Sequence, residues 1–231
     1  PEEINRALTT QLSDFHFAPT DTSKRNLLVE NIKERCIFVT GNTVIDALFY
    51  IKEKLESGAL KPDRVLNELP NDKKIILVTA HRRENFGDGI ENICLALSQL
   101  AKQHPDFLFV YPVHLNPNIK EPVLRLLGNY TNIKLISPLD YVSFIALLDR
   151  AFIVLTDSGG VQEEAPSLGK PVLVMRDNSE RPEAVAAGTV KLIGSSTQAI
   201  IENINLLIND KAVFDKMAQA INPYGDGKAC A

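Results

Sequence analysis

The chain has 231 residues, enough for one large domain or for one domain plus part of another. Hydrophobic residues make up 45% and charged residues 23%, an ordinary globular balance, and no apolar run approaches the roughly 20 residues that span a bilayer. A formal net charge of -4 gives no sign of a nucleic-acid or anionic-membrane surface, so a phosphorylated ligand would have to be held by local groups.

The opening residues, Pro1-Glu2-Glu3-Ile4-Asn5-Arg6, are acidic and polar and do not read as a secretory signal. Residue 1 is proline, not methionine, so the sequence reads as a piece of a longer protein. Up to residue 40 there is a polar segment, an apolar stretch at Phe15–Ala18, a turn at Pro19-Thr20-Asp21-Thr22-Ser23 and a strand candidate at Ile37–Thr40. Gly41-Asn42-Thr43 leads into an amphipathic helix from Val44 to about Leu55.

From Lys74 onward, short β-branched runs alternate with longer amphipathic stretches. The strand candidates are Ile75–Thr79, Leu108–Tyr111, Ile133–Ile136, Ile153–Thr156, Val172–Met175 and Val190–Ile193. Each is nearly all apolar, as expected of strands covered on both faces. Helix candidates lie at Ile90–Gln103, Glu121–Leu127, Val142–Arg150, Val161–Leu168, Pro182–Ala187 and Thr197–Ile208. This alternation predicts an α/β fold with a doubly wound, Rossmann-like parallel sheet. The expected divisions are 1–40 as the tail of a preceding domain, 41–215 as the α/β domain, and 216–231 as a C-terminal segment leading back. Asn222–Gly227 is too rich in helix breakers to be helical.

Cys36, Cys94 and Cys230 are few, odd in number and far apart, with no disulfide framework or metal spacing, which fits a reducing cytoplasm.

Ligands of a doubly wound sheet bind beyond the carboxyl ends of its strands. After Ile153–Thr156 come Asp157-Ser158-Gly159-Gly160, where paired glycines free the backbone amides at a helix start and Ser158 adds a hydroxyl. Glu164 follows about one turn later, where a carboxylate can accept from ribose hydroxyls. After Ile75–Ala80 come His81-Arg82-Arg83, a compact cationic cluster suited to phosphate contact and proton transfer. His114 and Asn116 sit between Pro112 and Pro117 in a rigid loop, and Glu180-Arg181-Pro182-Glu183 follows the strand at Val172–Met175. Taken singly, each has a plain alternative as a cap, a solvated turn or an ion pair. Together at one sheet edge, they point to a nucleotide diphosphate.

Thr40–Ala47, Thr79–Asn85, Tyr111–Pro117, Thr156–Pro166 and Glu180–Ala184 together closely resemble the non-hydrolysing UDP-N-acetylglucosamine 2-epimerases. Pro1–Arg6 and Asn222–Gly227 match as well, so the resemblance covers essentially the whole chain. It implies two Rossmann-like domains in the glycosyltransferase-B arrangement, this chain being mainly the second. It also implies UDP elimination across carbons 1 and 2 of the sugar and re-addition with the opposite configuration, giving UDP-N-acetylmannosamine for cell-surface polysaccharide biosynthesis. By motif, Ser158, Gly159 and Gly160 would hold the diphosphate and Glu164 the ribose. His81 would contact phosphate or assist proton transfer. Glu2 matches a family carboxylate proposed for acid–base work. Arg82, His114 and Arg181 would contact substrate or a second, activating UDP-sugar. No cofactor, metal, nucleic-acid partner or membrane partner is expected from the sequence, and the resemblance implies a homodimer at full length.

Most of the first domain's sequence, including its glycine-rich opening, has no counterpart here, so this chain alone is expected to be inactive. Asn31 stands where relatives often have glycine. Two alternatives stay open: a non-catalytic UDP-binding module, and a hydrolysing relative that releases free sugar.

Overall fold

A computed structural model describes residues 2–231; Pro1, the first residue of the Pro1–Arg6 match, lies outside them. The chain forms two compact units, one made of the segments up to Phe49 and from Pro223 to Ala231, the other of Tyr50–Asn222.

In the first unit, α1 (Glu2–Leu12) precedes β1 (His16–Ala18), α2 (Asp21–Val29) and β2 (Ile37–Val39), with the two strands paired in parallel. The expected turn at Pro19–Ser23 is instead the start of α2. Thr20 is its N-cap and accepts from the Ser23 amide at 3.1 Å, satisfying a first-turn donor. The helix ends in a Schellman motif: the Ile32 amide donates to the Leu27 carbonyl and the Asn31 amide to that of Leu28. Asn31 sits at the left-handed position, φ 64°, a conformation that glycine or asparagine adopts most easily. The C-terminal segment belongs to this unit. Its Ala229 and Cys230 amides donate to Asp46, and the Tyr224 carbonyl accepts from the Asn42 amide at 2.8 Å. Asp46 lies on α3 (Thr43–Glu56), the helix expected from Val44.

The second unit holds a six-stranded parallel sheet: β3 (Lys74–Thr79), β4 (Phe107–Pro112), β5 (Ile133–Ile136), β6 (Ala151–Thr156), β7 (Val172–Val174) and β8 (Val190–Leu192), ordered β5-β4-β3-β6-β7-β8. Successive residues of a strand face opposite sides. Ile76, Val78, Phe109 and Leu155 join a core with α4 (Asp88–Gln103), α5 (Pro117–Leu127) and α9 (Thr197–Asn209). Ile75, Leu77, Leu108 and Val154 face the other way and are equally buried, on the side where α6 (Tyr141–Arg150) meets β3 and β6. Burial on both faces explains the apolar central strands, while the edge strands β5 and β8 each carry one exposed lysine, Lys134 and Lys191. On α4, Ile90, Ile93, Leu97 and Leu100 form a single buried stripe at helical spacing.

The remaining helices are α7 (Gly159–Glu164), extended by a 3-10 turn at Ala165–Leu168, then α8 (Pro182–Ala187) and α10 (Lys211–Ala218). α5 begins at Pro117 and not at Glu121, because Asn116 caps it and Pro117 occupies its first turn. No helix among the described residues is long and apolar enough to cross a membrane.

Candidate functional site

The sheet reverses its winding between β3 and β6. The chain leaves β3 for β4 and β5 on one side, then returns to β6 on the other. Such a switch point opens a crevice at the carboxyl ends of the two central strands. Their ends are level: Thr79 pairs with Thr156, and the two hydroxyls lie 2.6 Å apart. The loops carrying His81-Arg82 and Asp157-Ser158-Gly159-Gly160 therefore emerge side by side.

Asp157, fully buried, joins them. Its carboxylate accepts from the His81 amide at 2.9 Å, the Arg82 amide at 2.8 Å and the Asn85 side chain at 3.0 Å. Burial pushes this carboxyl up, but the His81 ring and the Arg82 and His81 amides outweigh it, leaving the group below its ordinary range. It is thus held as a buried anion. Tyr111, buried on the neighbouring strand, donates its hydroxyl to the Ala80 carbonyl and braces the same loop.

Gly159 is where cations converge. A Cβ built there would stand 3.5 Å from Nη2 of Arg82 and 3.7 Å from Nη2 of Arg181. Glu163 holds Arg181 through Nε, and Glu180 lies 3.9 Å from Arg82. Nε of Arg82 is buried with no hydrogen-bond partner among the described residues. Ser158 precedes the helix without capping it, so its hydroxyl is not spent on the helix end; its amide donates to Thr156 Oγ1. The first-turn amides of Gly159 and Gly160 have no acceptor within the helix. The plain alternative for Ser158, a cap, is thereby corrected.

Glu164 is buried and accepts the Tyr141 hydroxyl at 2.7 Å. Burial raises its carboxyl above the ordinary range, against the lowering effect of that hydrogen bond. His114 is exposed; its Nδ1 accepts from the Asn116 amide, and its ring lies 6.0 Å from that of His81, nearly parallel. Glu84 does not neutralise Arg82 or Arg83 but pairs with Arg176. The second unit thus gathers His81, Arg82, Asp157, Ser158, Gly159 and Arg181 around one switch point. Glu2 is an exposed first-turn residue of α1 in the other unit.

Sequence reasoning does not single out Asp157, Asn85 or Arg176 as site residues. Arg176 follows β7 and bridges Glu84 to Glu180, tying together the loops that carry Arg82 and Arg181. A charged residue just beyond an all-apolar strand is the available signal for both Asp157 and Arg176. Among the described residues, no group of three or more His, Cys, Asp or Glu could hold a metal ion. A groove of about 940 Å³ in the first unit is lined by none of the switch-point residues.

Residues 1–231 match the family model described as UDP-N-acetylglucosamine 2-epimerase. The UDP-N-acetylglucosamine 2-epimerase of Escherichia coli O157:H7 is 54% identical over 234 residues, covering all of this chain and 62% of that protein. A probable UDP-N-acetylglucosamine 2-epimerase of Ralstonia solanacearum gives the same identity and coverage. The chain spans about 62% of the length of the curated relatives it matches. A crystal structure of the Neisseria meningitidis enzyme bound to UDP-GlcNAc superposes with a TM-score of 0.91 at 54% identity, over 99% of this chain and 62% of that one. A structure of S. aureus MnaA with UDP gives 0.89 at 45%, over 99% and 61%.

Proposed function

The chain belongs to the UDP-N-acetylglucosamine 2-epimerase family, and on that premise we propose that its second unit is the UDP-holding half of such an enzyme. The observation that carries this reading is the convergence of Arg82 and Arg181 on Gly159, beside unspent first-turn amides. Guanidinium groups and free amides at a switch point stabilise a diphosphate, both in the bound sugar nucleotide and as the departing UDP.

In this reading Ser158, Gly159 and Gly160 contact the diphosphate, with Arg82 and Arg181 supplying positive charge. Glu164 accepts from the ribose, and Tyr141 holds its carboxylate. His81 contacts phosphate or moves a proton; His114 adds a contact to substrate or to a second, activating UDP-sugar. The reaction is elimination of UDP across carbons 1 and 2, then re-addition to give UDP-N-acetylmannosamine. Glu2 serves acid–base chemistry from the other domain. The site acts in the cytoplasm, where the free Cys36, Cys94 and Cys230 would stay reduced, and the full-length enzyme is a homodimer.

Residues 1–40 are the tail of a first Rossmann-like domain in the glycosyltransferase-B arrangement. Support comes from β1 and β2, a parallel pair whose Phe17, Phe38 and Val39 stand exposed. Parallel sheets are normally covered on both faces, and a two-stranded sheet is at best marginally stable by itself. The 231-residue chain by itself is then expected to turn over no substrate. The test is calorimetric titration with UDP of this chain and of its Ser158→Ala, Glu164→Ala double variant. Weak binding that the variant loses supports the site; equal affinities would overturn it.

A further inference from the structure

The buried Asp157 carboxylate has a task beyond joining two loops. Its Oδ2 receives the Arg82 amide, the Asn85 side chain and the nearer contact of the His81 amide. Its Oδ1 faces Nδ1 of the His81 ring at 3.2 Å. An ionised carboxylate is an acceptor only, so a bare imidazole lone pair at that distance would repel it. The ring nitrogen facing Oδ1 must carry the proton.

We propose that Asp157 is the positioning residue of His81: it fixes the imidazole as the Nδ1–H form and leaves Nε2, with its lone pair, as the nitrogen offered to the ligand. The proposal rests on the UDP-site reading for what Nε2 meets, but not for the tautomer itself. An Nε2 that carries a lone pair can accept a proton or, once protonated, donate to a phosphoryl oxygen. The other tautomer could only donate from Nε2 and would be unsuited to take a proton there. Asp157→Asn makes the point sharply. The new side chain must still present its oxygen to the Arg82 and His81 amides, which turns its NH₂ toward Nδ1. His81 would then accept at Nδ1 and carry its proton on Nε2, the reverse arrangement.

The test is long-range ¹H–¹⁵N correlation of the histidine rings in the 231-residue chain at about pH 9, above the ordinary imidazole range, with His81 assigned by His81→Gln. A protonated Nδ1 and bare Nε2 in the wild type, exchanged in Asp157→Asn, is the expected result. A bare Nδ1 in the wild type, or a folded Asp157→Asn with an unchanged tautomer, overturns the proposal. Should Asp157→Asn not fold, the wild-type spectrum still decides. Asn85→Ala then serves as the second variant, since it spares Oδ1 and should keep Nδ1–H; loss of that form counts against the idea. A UDP titration run on the same samples separates the two readings. No UDP binding with Nδ1–H intact sinks only the ligand assignment, and bound UDP with a bare Nδ1 sinks only the role of Asp157.

Discussion

Gly159→Ala probes the convergence of the two arginines with a single methyl group. The added Cβ would lie in ordinary van der Waals contact with Nη2 of Arg82 at 3.5 Å and of Arg181 at 3.7 Å, so nothing has to move to admit it. Gly159 is the first residue of α7, where alanine lowers the entropy of the unfolded chain. The variant should therefore fold, with stability unchanged or raised by up to ~1 kcal/mol. Binding is another matter. The methyl occupies the space flanked by both guanidinium groups, where a phosphoryl oxygen would be held. A hydrogen bond to a charged group contributes about 1.5–3 kcal/mol. Losing one such contact should weaken UDP about 10- to 150-fold. Isothermal calorimetry measures the affinity, and a thermal melt confirms that the fold survived. A melt like the wild type's with UDP affinity within about threefold would show that the diphosphate does not sit between these arginines.

Two further outcomes test other parts of the structure. Asn31→Ala should destabilise the first unit by about 1 kcal/mol, because alanine resists the left-handed backbone at φ 64°, whereas Asn31→Gly should cost nothing; equal urea midpoints for the alanine and glycine variants would contradict this. Glu164 has a raised folded-state pKa, so the folded chain binds its proton more tightly than the unfolded chain does. Its ionisation therefore costs stability as pH rises through and above the ordinary carboxylate range, and costs nothing below it. Glu164→Gln should raise the melting temperature at neutral pH and lose that advantage near pH 4; a gain that grows on acidification would refute the burial argument.

The sheet is legible from sequence because burial on both faces leaves strands such as Ile75–Thr79 with almost no polar residue. Elements that bury little are not. α1 buries only Thr10 and α2 buries nothing, while no residue of α10 is fully buried although Val213, Phe214 and Met217 pack against the core. Helix α1 carries Ile4, Leu8 and Leu12 at helical spacing, but within a polar run and with all three exposed; α10 is short, and the capping residues at the start of α2 look like a turn. At the site, the loops follow from the strand ends, and the paired glycines mark the helix start. What sequence does not show is which loops become neighbours. The order β3-β6 makes them so, and it brings Asp157 to amides at His81 and Arg82. Glu164 reads in sequence as an open carboxylate, and only the fold reveals Tyr141 already bonded to it.

The pairing of β3 with β6 also sets when the site can exist. His81 and Asp157 are separated by 76 positions along the chain, and α4, β4, α5, β5 and α6 intervene. A newly made polypeptide that has assembled β3, β4 and β5 holds the cationic cluster but no acceptor to organise it. Docking of β6 must close that long loop before the amides find their carboxylate, a step that is entropically slow. Nucleotide present during refolding would therefore recognise only molecules past that step and draw them forward by mass action.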